Sequence, residues 1–107
     1  MTMQAGLGGG SSNAATALWA INTLNPAPLQ EAELRLVAGE FSSDAPFFLS
    51  SGTAYCTGRG EQLSALPPLP QMRLWVAKPQ EGLSTPLVYQ AVRAALLPQR
   101  DPHVYLQ

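Results

Sequence analysis

The sequence has little of what most binding and catalytic chemistries draw on. Cys56 is its single cysteine, so no internal disulfide can form, and with His103 the only histidine no Cys/His set has metal-ligand spacing. A reducing compartment suits such a chain. Charged residues make up 12% of the 107, with six Lys+Arg against seven Asp+Glu, and Lys78 is the sole lysine. No basic cluster forms, which argues against nucleic acid as a partner. No apolar run approaches the roughly 20 residues that span a bilayer, and the opening MTMQAGLGGG carries neither a basic leader nor an apolar core, so a soluble protein without membrane contact is expected. Internal repeats and low-complexity linkers are missing too, and the ten prolines punctuate elements instead of forming a polyproline tract.

What is present is enough for a modest core: 46% of residues are hydrophobic, which suits one domain at most. Glycine is concentrated in one place. Residues 6–16 read GLGGGSSNAAT, with Gly6, Gly8, Gly9 and Gly10 running directly into residues of helical pattern. That loop starts only a few residues after Met1, with no preceding strand to launch it, and a truncated chain is therefore expected.

Ser11, Ser12 and Asn13 are good N-cap residues, and the spacing of Ala14, Ala17, Leu18, Ile21 and Leu24 predicts a helix over 14–24. Asn25–Pro28 stops it. Leu29, Ala32 and Leu36 predict a second helix over 29–38, ended by Gly39. In FSSDAPFFLSS (41–51), Ser42, Ser43 or Asp44 can cap a short turn, with Pro46 near its first helical position. The period then becomes strand-like: TAYCT and QLSAL predict a hairpin around Gly58–Gly60, with Cys56 buried on its strand. MRLWVA (72–77) predicts a further strand. Thr85 as N-cap and Pro86 as first helical residue predict a third helix to about Leu97, and the tail after Pro98 is unassigned. Helices, then strands, then a helix favour an α+β fold over a βαβ series.

A helix N-terminus presents unpaired N–H groups and the positive end of a dipole, and glycines ahead of it let the backbone close around an anion. Gly6–Asn13 is therefore a candidate phosphate cradle. Ser11 and Ser12 add hydroxyls able to donate to phosphate oxygens, and Ser11 is a candidate contact for Mg²⁺. Neither common nucleotide pattern fits: no lysine follows the glycines as in a P-loop, and Ser11 stands where the third glycine of GxGxxG belongs.

GLGGGSSNAA resembles the central motif of the GHMP kinases. SSDAPFF, GTAYCTGRGE and LSTPLVY, in that order, narrow the resemblance to the branch that phosphorylates 4-diphosphocytidyl-2-C-methyl-D-erythritol in non-mevalonate isoprenoid biosynthesis. The resemblance runs from Met1 to about Leu97. It implies a GHMP kinase fold, incomplete here: an N-terminal lobe like the ribosomal S5 second domain, with residues 1–80 its ATP-binding centre, and the start of a C-terminal lobe at 81–107. It implies that Ala5, Gly6, Leu7, Gly8, Gly9, Gly10, Ser11, Ser12 and Asn13 wrap the phosphates of ATP with Mg²⁺. Asp44 falls on the aspartate of the family's G-[SA]-D-x-P motif, the catalytic base, although by itself it reads equally as an N-cap beside Pro46. Ser42 takes the place of that motif's glycine. Thr85 and Pro86 would line the pocket for the cytidine diphosphate part of the substrate. Tyr89 would stack on cytosine, and its helical spacing from Val92 fits core packing as well. Arg59 reads as a hairpin-turn residue that could face a phosphate. The family's catalytic lysine lies ahead of the glycine loop, and neither Lys78 nor His103 replaces a residue of that kind. SDAPFF and AYCTGRGE resemble plant and algal members most, which implies a plastid stroma, or otherwise a bacterial cytoplasm.

Overall fold

The computed structural model describes residues 6–50 and 52–105. Helix α1 spans Gly9–Leu24, α2 Glu31–Phe41 and α3 Ala45–Phe48; strands β1 (Ala54–Thr57) and β2 (Gln62–Ala65) follow, then α4 at Thr85–Gln90. Two short 3₁₀ turns, Ala94–Leu96 and Pro102–Tyr105, complete the order. Helices with a small two-stranded sheet make an α+β arrangement, as expected.

α1 begins at Gly9, two residues ahead of Ser11 and five ahead of the expected Ala14. Its N-cap is Gly8, in a left-handed conformation at φ 66° and ψ 18°, and the first turn closes when the Ser12 N–H donates to the Gly8 carbonyl at 2.8 Å. A residue without a Cβ makes this sharp entry cheap, so Ser11, Ser12 and Asn13 lie inside the helix and not at its cap. The buried stripe also differs from the expected one. Ala15 is buried, Ser11, Leu18 and Asn22 are half-buried, whereas Ala14, Ala17, Ile21 and Leu24 face outward, Ile21 at 67% exposure. Both faces of α1 are apolar enough to bury, and the one that packs is the one turned to α2 and α3.

α2 starts behind Gln30, whose N–H donates to the Glu33 carboxylate at 2.9 Å, and the Arg35–Glu31 ion pair at 2.7 Å spans one turn on its surface. Gly39 does not end it. The helix runs through Gly39 to Phe41 and stops where Ser42 turns extended at φ −158° and ψ 133°. α3 packs against both longer helices, and Ala15, Ala38 and Ala45, one from each helix, meet in the core with Leu18 and Leu49 packed around them. Leu34 and Pro46 are buried beside them.

The hairpin has the expected strands, with Ala54 opposite Ala65 and Thr57 opposite Gln62, so four residues, Gly58–Glu61, form its turn. The Gly60 N–H closes that turn on the Thr57 carbonyl at 3.1 Å. Cys56 is exposed, contrary to expectation, because nothing covers the outer face of this two-stranded sheet among the described residues. A cleft of about 620 Å³ separates α2 from the hairpin, between Arg35, Leu36 and Gly39 on one side and Arg59, Glu61 and Leu63 on the other.

After Leu66 the expectations hold less well. The strand over 72–77 does not form: the segment is extended without ladder partners among the described residues, and Trp75 is fully exposed. A strand exists only where a neighbour takes its N–H and C=O groups, and PPLP just ahead removes donors. α4 is short, ending at Gln90 instead of Leu97, and its N-cap is Ser84, so Thr85 and Pro86 occupy its first two positions. Its exposed apolar face has no packing surface to extend it, and short helices without packing are marginal. The unassigned tail returns to the hairpin, where the His103 ring lies against Tyr55 with centroids 4.8 Å apart.

Candidate active site

The glycine loop positions three donors that no described residue takes up. With the first intrahelical bond made by Ser12, the N–H groups of Gly9, Gly10 and Ser11 precede the ladder and point out of the N-terminus of α1. A Cβ placed on Gly6 or Gly10 would meet no atom within 4 Å, so there is room beside these donors. At Gly8 the opposite holds: a Cβ would come within 2.6 Å of Phe48 Cζ. Gly8 thus lets α3 lie against the loop while Gly6 and Gly10 leave one side open. This arrangement suits a phosphate.

Asp44 follows α2 by a short link. It occupies the N-cap position of α3, but its side chain makes no capping hydrogen bond, and the residue is exposed. The carboxylate is therefore not consumed by the helix cap that its position suggested. The hairpin turn leans on the same segment: a Cβ on Gly60, which has φ 117°, would lie 3.3 Å from the Ser43 carbonyl and 3.7 Å from Asp44 Oδ1. In that turn, the Glu61 carboxyl is held below the ordinary glutamate range by its own main-chain N–H and that of Arg59, the latter bond 2.7 Å long. Arg59 faces the turn as expected, its Nε 3.9 Å from Glu61 Oε2.

The loop and the main chain of Asp44 are joined through one residue. Ser11 Oγ lies 3.0 Å from Ser42 Oγ, and Ser42 Oγ accepts the Asp44 N–H at 3.3 Å. Ser11, the expected Mg²⁺ contact, has its hydroxyl beside that of Ser42, and the described residues contain no group of three or more His, Cys, Asp or Glu able to hold a metal ion. Ser12 is half-buried, its carbonyl taken by the Thr16 hydroxyl at 2.9 Å, and Asn13 is exposed. Ala5 lies outside the described residues.

A second cleft, of about 480 Å³, brings Gly6 and Leu7 to Lys78, Thr85 and Val88. The start of the glycine loop and the start of α4 therefore share one concave surface. Pro86 and Tyr89 do not line it; Tyr89 is 75% exposed, so core packing is not its role. Two contributors were not among the expected site residues: Ser42, read as a turn cap and as a replaced glycine, and Lys78, which reaches the cleft from a segment expected to be strand and loop.

Comparison with known proteins gives the family. Residues 1–52, which contain the glycine loop and Asp44, match the family "GHMP kinases N terminal domain". The chain is 55% identical over 87 residues to a 4-diphosphocytidyl-2-C-methyl-D-erythritol kinase of Protochlamydia amoebophila, covering 81% of this chain and 30% of that protein. It is 50% identical over 105 residues to the chloroplastic kinase of the same name from Oryza sativa, covering 96% and 26%, and 54% identical over 94 residues to that of Arabidopsis thaliana, covering 83% and 24%. The chain thus spans about a quarter to a third of the length of these relatives. From the matching family model and the identity to these kinases, the chain belongs to the GHMP kinase family.

Proposed function

We propose that this chain carries the phosphate loop and catalytic carboxylate of an ATP-dependent kinase that phosphorylates the 2-hydroxyl of 4-diphosphocytidyl-2-C-methyl-D-erythritol in isoprenoid biosynthesis. The observation that carries this reading is the link that Ser42 Oγ makes between Ser11 on α1 and the main-chain N–H of Asp44, whose own carboxylate is left uncapped. In this reading residues 1–80 belong to an ATP-binding lobe and 81–107 to the substrate-contacting region. The reaction takes place in a plastid stroma or a bacterial cytoplasm, since relatives of both kinds match.

The N–H groups of Gly9, Gly10 and Ser11 hold the phosphates, worth more here than in water because the donors are already oriented. Asp44 takes the proton of the 2-hydroxyl. That oxygen forms its bond to the γ-phosphorus while the bond to the bridging oxygen breaks, and ADP leaves with the electron pair. Mg²⁺, when bound, would neutralise phosphate charge, and Ser11 Oγ is the side chain of the loop that would contact it. Thr85, at the start of α4, borders the cleft that opens from Gly6 and Leu7, which suits the diphosphate side of the substrate, and Pro86 follows it in the first turn. The exposed Tyr89 ring is free to stack on cytosine.

A second reading, a phosphate-binding module without turnover, draws on the short span of the relatives that the chain covers. Radiolabelled γ-phosphate separates the two. Transfer from ATP to the diphosphocytidyl alcohol, reduced about a thousandfold in Asp44→Asn, is the expected outcome for the kinase. Equal rates in both proteins overturn the role of Asp44, and nucleotide binding with no transfer selects the second reading.

A further inference from the structure

We propose that Ser42 is a positioning residue that holds the phosphate loop and Asp44 in register through its hydroxyl; this rests on the kinase reading above. Every polar group of Ser42 is used. Its N–H donates to the Ala38 carbonyl at 3.1 Å, and its carbonyl accepts the Ala45 N–H at 3.3 Å, so its main chain ties the end of α2 to the start of α3. Its Oγ accepts the Asp44 N–H at 3.3 Å and pairs with Ser11 Oγ at 3.0 Å, the one polar link from this junction to α1 among the described residues. Three helices meet on one half-buried serine.

The division of labour is clean. The backbone of Ser42 is extended, at φ −158°, a conformation open to any residue, so what a serine adds over glycine or alanine is the hydroxyl alone. A hydroxyl carries one proton and two lone pairs. With Asp44 N–H on one lone pair, Ser42 can still donate to Ser11, and Ser11 then keeps its own proton for an anion in the loop. An anion bound at Gly9–Ser11 selects that orientation. The same hydroxyl therefore sets the peptide that carries the base and the direction of the donor that meets the phosphate.

Ser42→Ala keeps both main-chain bonds and removes only this link, so the fold is retained, and Ser42→Thr keeps the hydroxyl on an extended backbone that suits a branched side chain. The kinase assay should show kcat down about tenfold in Ser42→Ala, with KM for the diphosphocytidyl alcohol unchanged and the rate recovered in Ser42→Thr. Amide hydrogen exchange, read without nucleotide or substrate, should show the Asp44 N–H exchanging faster in Ser42→Ala and as in the parent in Ser42→Thr. Unchanged exchange in Ser42→Ala overturns the link itself. Faster exchange with unchanged kcat overturns the positioning role and leaves the kinase reading standing. No transfer by the unmodified chain overturns the kinase reading and the positioning role with it, while the exchange result still decides the link.

Discussion

Residues 6–65 and residues 66–105 are both rich in apolar side chains, yet all the buried residues found, Ala15, Leu34, Ala38, Ala45 and Pro46, belong to the first region. In the second, Leu69, Met72, Leu74, Trp75, Val76 and Leu83 are exposed. The contrast lies in how each region satisfies its backbone. Helices bond within themselves and a hairpin bonds to its own return strand, so α1–α3 and β1–β2 assemble from residues near in sequence. The segment 72–77 has strand-forming residues but no second strand to receive them, and apolar content without backbone partners builds no core.

Truncations test this contrast most directly. Leu34→Ala, at a site only 4% exposed, should cost about 2–5 kcal/mol in urea unfolding, whereas Trp75→Ala should fall within about 0.5 kcal/mol of the parent. Equal losses would mean that 66–105 packs in solution. Gly8→Ala comes next: the left-handed backbone costs about 1–2 kcal/mol, and the contact with Phe48 adds to it. Its lowered melting temperature should be partly restored by Phe48→Leu; no restoration would place the strain in the backbone alone. In the second region the effect should be on binding and not on stability. Tyr89→Ala is expected to raise KM for the cytidine substrate about tenfold with an unchanged melt, and a lowered melting temperature would contradict its exposure.

The smallest effect concerns acid. Because the folded state holds the Glu61 carboxyl below its ordinary value, its contribution to the hairpin is complete above the unfolded value and is lost as pH falls through the folded one. Glu61→Gln should flatten the acid side of the stability profile followed by circular dichroism. An identical acid limb in the variant would show that the turn does not depend on that carboxylate.

Much of the first region was legible because its signals are local. Helical spacing marked α1 and α2, two alternating runs marked the hairpin, and Pro46 marked α3. The start of α1 was not, since serine and asparagine are common caps and only tertiary contact with Phe48 makes a glycine at position 8 the entry point. Gly39 read as a stop for the same reason: its place in α2 is decided by packing. In the site, the glycine loop and Asp44 were legible as motifs. Ser42 was not, because its partner Ser11 lies far away in sequence and side-chain pairing across such a distance leaves no periodic trace. The shared cleft of Gly6, Leu7, Lys78 and Thr85 was hidden likewise.

The meeting of Ala15, Ala38 and Ala45 acts as a gauge block. Three methyl groups are about the thinnest spacer that can stand between three helices, and they lie one turn from Ser11 on α1 and immediately after Asp44 on α3. The reach from loop to carboxylate is therefore set by the width of a methyl. A single added branch at any of these alanines would act as a shim, moving the glycine loop and Asp44 apart without touching either.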